Sequence, residues 1–282
     1  MSIICETVKN GFTNYFGKKF FVTERDSLKF NIISGVGACV FFWFTANVFS
    51  VSGYSLCMAL IFSVISALAN YCTLVSFAIG PMSVASLLVY MGGMLIPSVF
   101  GAVYYKQPVT AFQIFGFLLM ITSLFFIIKP VRDKSISLKW GVHCVGSFIS
   151  WGLVGVCQQI HQNSVYADEI NEFLFWSFAV MTVIFATVYL LSGRKLKIKG
   201  GYKLKSSASL FVLASGLLIA VVYRINLYLS GKMPGVVFFP IVNGGVLLLS
   251  EITALIFFKE NIGKKGKIGI LCGIAAVCLL GI

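Results

Sequence analysis

Nine long apolar stretches decide what this chain can fold into. They run over residues 27–48, 54–78, 83–105, 108–129, 139–163, 170–192, 207–230, 234–258 and 262–282. Each approaches or exceeds the roughly 20 residues a helix needs to cross a bilayer. Lipid offers no partner to a bare backbone, so a spanning segment is either a helix or part of a closed barrel. Apolar runs of this length fit helices, not the alternating strands of about ten residues that build barrels. The fold class is therefore all-α integral membrane. The composition agrees, with 59% hydrophobic and 11% charged residues in 282. That balance excludes a cytosolic enzyme, a disordered chain and a secreted disulfide scaffold. The connections are short and carry turn residues, as in Val51-Ser52-Gly53 and Gly231-Lys232-Met233-Pro234. Pro81, Pro108 and Pro234 are placed in the first turn of their helices, where a missing N–H costs nothing.

Two parts of the chain repeat. Gly80 pairs with Gly231, 151 positions on, and Gly92-Gly93 pair with Gly244-Gly245 at 152. Tyr105-Lys106-Gln107 pair with Phe258-Lys259-Glu260 at 153, as does Gly116 with Gly269. Chance likeness between apolar helices would not align this punctuation. The unit is five spans, so residues 1–130 form a first repeat and residues 131–282 a second. An odd number of spans inverts the second copy, and inverted repeats hold substrate near the bilayer midplane, where the halves meet. The full scheme is about ten helices. The span at 139–163 has no full counterpart in the first half. Matching Asn171 to Asp26, 145 positions apart, leaves the first helix short by at least two turns. A truncated first helix is the favoured reading over nine full spans plus an amphipathic N-terminal helix. Glu6, Lys9, Asn10 and Asn14 interrupt that segment, so it lacks the apolar core of a secretory signal.

The net charge of +13 reads as topology, because the basic residues lie between apolar runs and not on a soluble face. Four connections carry 18 Lys and Arg, around residues 18–29, 129–139, 194–205 and 259–267. The opposite side has only Lys106 and Lys232. The 18 belong in the cytoplasm of a cell (inner) membrane, which puts the C-terminus outside. Nucleic acid is excluded as a partner. Of the eight cysteines, seven lie in apolar runs and none forms a C-x-x-C pair, so they read as packing residues. His143 is expected to be helix-packed and His161 interfacial, and neither has metal-ligand spacing.

Gly80-Pro81-Met82 opens a Gly-rich fourth helix, and Phe258-Lys259-Glu260-Asn261 leads into Ile268-Gly269-Ile270-Leu271. These features, on two five-helix units, resemble the EamA-type drug/metabolite transporters. The resemblance covers nearly the whole chain after about residue 26. It implies a ten-helix transporter with a central cavity, exporting or exchanging small metabolites, amino acids or toxic compounds. Members of that family are described with both termini cytoplasmic, whereas the charge count here puts the C-terminus outside.

Candidate pathway residues follow from cost. A charge within lipid is expensive and generally faces a cavity or a partner. Arg224 and Glu251 are the two deep charges. Glu251 would bind a proton or a cationic substrate, or serve as a hydrogen-bonded structural carboxyl. Arg224 would hold a carboxylate or phosphate, or snorkel to the outer interface. The spans 83–105 and 234–258 are repeat equivalents, and both carry helix-breaking residues. Gly92, Gly93 and Pro97 lie in one; Pro240, Asn243, Gly244 and Gly245 lie in the other. Matched interruptions free backbone groups for a ligand, although small residues also serve close packing, as in Gly269-x-x-x-Gly273. Asn70, Tyr90, Trp151 and Gln158 are further candidates for a cavity wall.

No Ser-His-Asp set, P-loop or paired membrane carboxylates occur, so an enzyme is not expected. The expectation is a secondary transporter working by alternating access of the two halves. The alternative is a lipid or lipid-carrier flippase, for which Arg224 is the only candidate headgroup contact. The expected partners are a small-molecule substrate, the lipid bilayer, protons or another coupling ion, and a second copy of the chain. No cofactor is expected.

Overall fold

The computed structural model describes residues 3–8, 24–79, 82–127, 137–191, 206–257 and 264–281. All regular structure among them is helical. A short helical segment at residues 3–8 (α1) precedes α2 (Glu24–Thr45), α3 (Gly53–Ile79), α4 (Met82–Val103) and α5 (Ala111–Ile127). Then follow α6 (Leu138–Gln162), α7 (Ile170–Leu191), α8 (Ser206–Ser230), α9 (Gly235–Phe257) and α10 (Lys264–Leu280). Each helix from α2 to α10 begins and ends within three residues of one of the apolar stretches. Six, namely α2, α3, α4, α6, α7 and α8, are long and apolar enough to cross a membrane. The chain is thus a helical membrane protein by the length and composition of its helices. The basic connections at 128–136, 192–205 and 258–263, and all of 9–23, lie outside the described residues.

Local chemistry sets the helix starts. Ser137 caps α6 by accepting a hydrogen bond from the Trp140 N–H at 3.2 Å. α5 begins after Pro108, not around it. Gln113 N–H donates to Thr110 Oγ1 at 3.2 Å, and Thr110 N–H donates to Gln113 Oε1 at 3.1 Å. This reciprocal capping box fixes the start, and it leaves Pro108 in the preceding linker. α9 starts just after Pro234, whose carbonyl accepts from Val237 and Phe238. The Gly235 N–H, orphaned at that helix start, donates to Gln107 Oε1 at 2.8 Å.

The helices assemble into two lobes. Phe42, Phe62, Phe173, Phe178 and Leu227 form the core of a lobe built from α2, α3, α6, α7 and α8. Met94, Met120, Leu124, Leu247, Ala276 and Leu280 form the core of a second, from α4, α5, α9 and α10. Each lobe draws helices from both halves of the sequence. α2 packs on α7 and α8, α3 on α7, α4 on α9, and α5 on α10, while α6 touches both α3 and α4. Outward faces carry large exposed apolar side chains such as Phe44, Val64, Phe115 and Phe125. In water such a surface would aggregate; in lipid it is the ordinary exterior.

Glycines permit the closest crossings. A Cβ on Gly37 would strike the Leu213 carbonyl of α8, and one on Gly216 would strike the Ser34 carbonyl of α2. A Cβ on Gly92 would strike the Phe148 carbonyl of α6. Backbone cannot step aside as a side-chain tip can, so these positions fix the interhelix distances. Gly37→Ala should lower the unfolding free energy of the detergent-purified protein by about 1–3 kcal/mol. Gly141→Ala, whose added methyl meets nothing within 4 Å, should instead be neutral or stabilising by up to about 1 kcal/mol, through helix propensity alone. Denaturant or thermal unfolding of both variants checks the contrast.

Candidate functional site

The two lobes leave a cavity of about 420 Å³ between them, a size typical of small-molecule sites. Asn31 and Ser34 of α2, Asn70 and Thr73 of α3, and Phe178 of α7 form one side. Ser86, Tyr90 and Gly93 of α4 and Phe238, Val242 and Asn243 of α9 form the other. Trp151 and Gln158 of α6 close the gap between the lobes, Tyr223 and Asn226 come from α8, and Glu6 comes from α1. Among the described residues α5 and α10 contribute nothing to the wall.

Five side chains singled out in the sequence meet here: Asn70, Tyr90, Trp151, Gln158 and Asn243. Arg224 does not line the cavity. It lies exposed near the end of α8, where its Nε donates to Asn171 Oδ1 at 2.8 Å. Less than two turns from the helix end, its long side chain reaches the interface, where the charge keeps water. Glu251 lies on α9, and its side chain is outside the described residues.

The expected breaks in α4 and α9 are not breaks: both helices run continuously through Pro97 and Pro240. Pro97 has no N–H to give the Gly93 carbonyl one turn earlier. Asn243 supplies the replacement, donating from Nδ2 to Gly93 O at 3.0 Å and also to Phe239 O at 3.1 Å. The freed carbonyl is therefore used to join α4 to α9. The glycines serve approach: added methyls on Gly93, Gly244 and Gly245 would meet Asn243, Met120 and Ile3 respectively. The Pro97 carbonyl itself accepts from Gln159 Nε2 at 2.7 Å.

Two hydrogen bonds frame the cavity from opposite sides. Trp151 Nε1 donates to Thr73 Oγ1 at 3.0 Å, joining α6 to α3. Asn226 Nδ2 donates to Glu6 Oε2 at 2.9 Å, joining α8 to α1. Thr73 and Asn226 lie 153 positions apart, and Glu6 and Trp151 lie 145 apart. These match the spacings of the repeat expected from the sequence. Asn70 and Tyr223, both in the wall, are also 153 apart, and Ser86 and Phe238 are 152 apart. The Tyr223 ring is held edge-on against Phe178, with centroids 5.2 Å apart.

One end of the bundle is tied by a polar network. Ser52 donates from both its N–H and its hydroxyl to Glu169, the latter at 2.7 Å. The Asn47 N–H donates to Glu172 Oε1 at 2.6 Å, and Asn171 Nδ2 donates to Thr45 O at 2.9 Å. Burial pushes the Glu169 carboxyl up, but hydrogen bonds from Ser55 and Ser52 outweigh it and hold the group below its usual value. His161 belongs to this network, near the end of α6. It is fully buried, stacks on Phe173 with centroids 4.2 Å apart and pairs through Nε2 with Ser55 Oγ at 3.1 Å.

No protein-family model and no curated protein matches the chain. A solved structure, described only as "Crystal structure of protein", is similar with a TM-score of 0.75 and 10% identity. The likeness covers 99% of this chain and 93% of that one. At that identity it speaks for a shared helical fold alone.

Sequence reasoning passed over Glu6, Thr73, Tyr223 and Asn226. Glu6 read only as an interruption of a possible signal. Extending the repeat spacing to α3 and α8 would have paired Thr73 with Asn226 and Asn70 with Tyr223.

Asn243→Ala should orphan the Gly93 carbonyl and cost about 1–3 kcal/mol of stability. In a Pro97→Ala background Gly93 O regains a partner within its own helix. The same substitution should then cost markedly less, and a double-mutant cycle on unfolding free energies measures the difference.

Proposed function

We propose that the chain is a secondary transporter that carries small metabolites, amino acids or drugs across the cell membrane by alternating access, as an exporter or exchanger. One observation supports this reading: the cavity lies between the lobes and is walled by residues of both sequence halves, several at the spacings of the proposed repeat. A site on the pseudo-symmetry axis of inverted repeats is the arrangement that lets two related conformations expose it to either side in turn. The EamA-type resemblance belongs to the same proposal.

The packing favours a modified form of the motion. Rocking of one sequence half against the other would tear α2 from α7 and α8, and α5 from α10. The bodies able to move are the two lobes, each drawn from both halves, with α6 bridging them. The flippase alternative loses its support, because Arg224 lies outside the cavity and no Lys or Arg appears among its described lining residues. A coupling ion remains part of the proposal, with Glu251 as its sequence candidate.

In orientation, the connections after α2, α4, α6 and α8 are those poorest in basic residues. Two pairs of contacts join them: the 45–52 segment meets Glu169 and Glu172, and Gly231 lies against Gln162. We assign this end to the outside of the inner membrane, with the C-terminus on the same side.

Metabolite profiling of cells with and without the protein should show a defined set of small molecules shifting between cells and medium. Ser86→Trp, which fills the cavity, should remove the shift while the protein remains folded in the membrane. Identical profiles with and without the wild type would refute transport. A C-terminal reporter active only outside the cytoplasm should give signal; signal from a cytoplasm-only reporter instead would overturn the orientation.

A further inference from the structure

We propose that the cavity recognises molecules that bear a carboxamide or lactam edge on a flat ring, and that the Gln158 side-chain amide reads that edge. The inference rests on the transport reading only in taking this cavity as the substrate site.

The amides of the wall are not equivalent. Asn70 Nδ2 donates to Ser66 O at 2.8 Å, one turn back on its own helix. Asn243 Nδ2 serves Gly93 O and Phe239 O, and Asn226 donates to Glu6. Gln159, which points away from the cavity, spends its Nε2 on Pro97 O. Gln158 differs from all of these. It lines the cavity, is only 8% exposed, and has no hydrogen-bond partner among the described residues. Asn31 is likewise uncommitted, but it is less deeply buried. Buried polar groups are paired as a rule, because an unmade hydrogen bond there forfeits the hydration given up. A glutamine amide holds a donor and an acceptor side by side. A carboxamide or lactam answers both at once, in the two-bond arrangement by which glutamine reads an adenine edge. A ketone or an ether answers one.

The rest of the ligand follows from the same helix. Trp151, Val154, Gly155 and Gln158 all line the cavity, at the i, i+3, i+4, i+7 spacing of one face of α6. Trp151 therefore lies about 10 Å below Gln158 along the helix, at 1.5 Å per residue. Its indole N–H is spent on Thr73, so what it offers a ligand is ring surface held in one orientation. Tyr90 and Phe178 add further ring surface across the cavity. Aromatic walls favour a flat apolar body. One stripe thus places a ring wall and an uncommitted amide at a separation that suits a ring and its substituent. The volume of about 420 Å³ admits such a molecule.

The test uses the full chain in nanodiscs and two pairs of near-isosteric probes. Benzamide is set against acetophenone, and 2-pyridone against 2-methoxypyridine; within each pair only the first has an N–H beside its acceptor. Calorimetric titration of the wild type should rank the N–H member about tenfold or more above its partner in at least one pair. Gln158→Leu should abolish that preference and leave the partner within about twofold of its wild-type affinity. The same variant should unfold at the wild-type temperature or above it, since it exchanges an unpaired amide for an apolar group of similar size. Equal binding within both pairs by the wild type overturns the proposal without need of a variant, the amide then holding only water. So does an absence of binding by every probe at millimolar concentration, or a preference that survives in Gln158→Leu. Failure here and failure of the transport reading are distinguishable. Gln158-dependent amide binding with metabolite profiles that ignore the protein keeps the site and removes transport. Protein-dependent shifts in cellular metabolites without amide preference do the reverse.

Discussion

Helices in lipid cannot be held together by hiding apolar surface, because the solvent they leave is as apolar as the neighbour they join. The assembly depends on what remains: close backbone approach and hydrogen bonds that have no competitor. The contacts follow this rule. Gly37 and Gly216 bring α2 onto α8, and Gly92 brings α4 onto α6. Buried hydroxyls then reach across. Ser63 donates to Ser177 O at 2.8 Å between α3 and α7, and Ser123 to Gly269 O at 2.6 Å between α5 and α10. The cavity marks where this close approach fails, because rings and amides keep the lobes apart.

The helices themselves were readable because a spanning segment must be apolar along its whole length, so each announces itself without reference to its neighbours. Ala111 differs from the expected start at 108 only because a capping box outbid a proline. The site was half readable. Asn70, Tyr90, Trp151, Gln158 and Asn243 stood out as polar or aromatic residues in apolar runs, and all five line the cavity. Arg224 stood out by the same logic and does not. Sequence gives depth along a helix but not the face, and an arginine is long enough to escape from either. Pro97 misled for a related reason. A proline certainly frees a carbonyl, but what takes that carbonyl depends on a side chain 146 residues away. Glu6 was missed because the N-terminal segment is short and broken by polar residues, with no apolar run to mark it as lining a cavity.

The Trp151–Thr73 and Asn226–Glu6 contacts stand at the spacings on which the proposed repeat rests. Each is a single side-chain hydrogen bond between two helical segments. The chemistry has parted, an indole in one and a carboxylate in the other. Under the proposed repeat, equivalent positions with different chemistry would give the scaffold a direction.

The intertwining of the lobes also constrains how the molecule can be made. α5 finds its principal partner in α10, the last described helix, and α4 finds one in α9. α2 likewise waits for α7 and α8. A chain delivered to the membrane from its N-terminus therefore holds its early helices without their final neighbours until the later ones arrive. During that interval the glycine-lined faces of α2 and α4 and the hydroxyl of Ser123 lie open to lipid. The second lobe closes last, since it needs both α9 and α10. Biogenesis must thus protect a half-built bundle whose most adhesive surfaces are its earliest products.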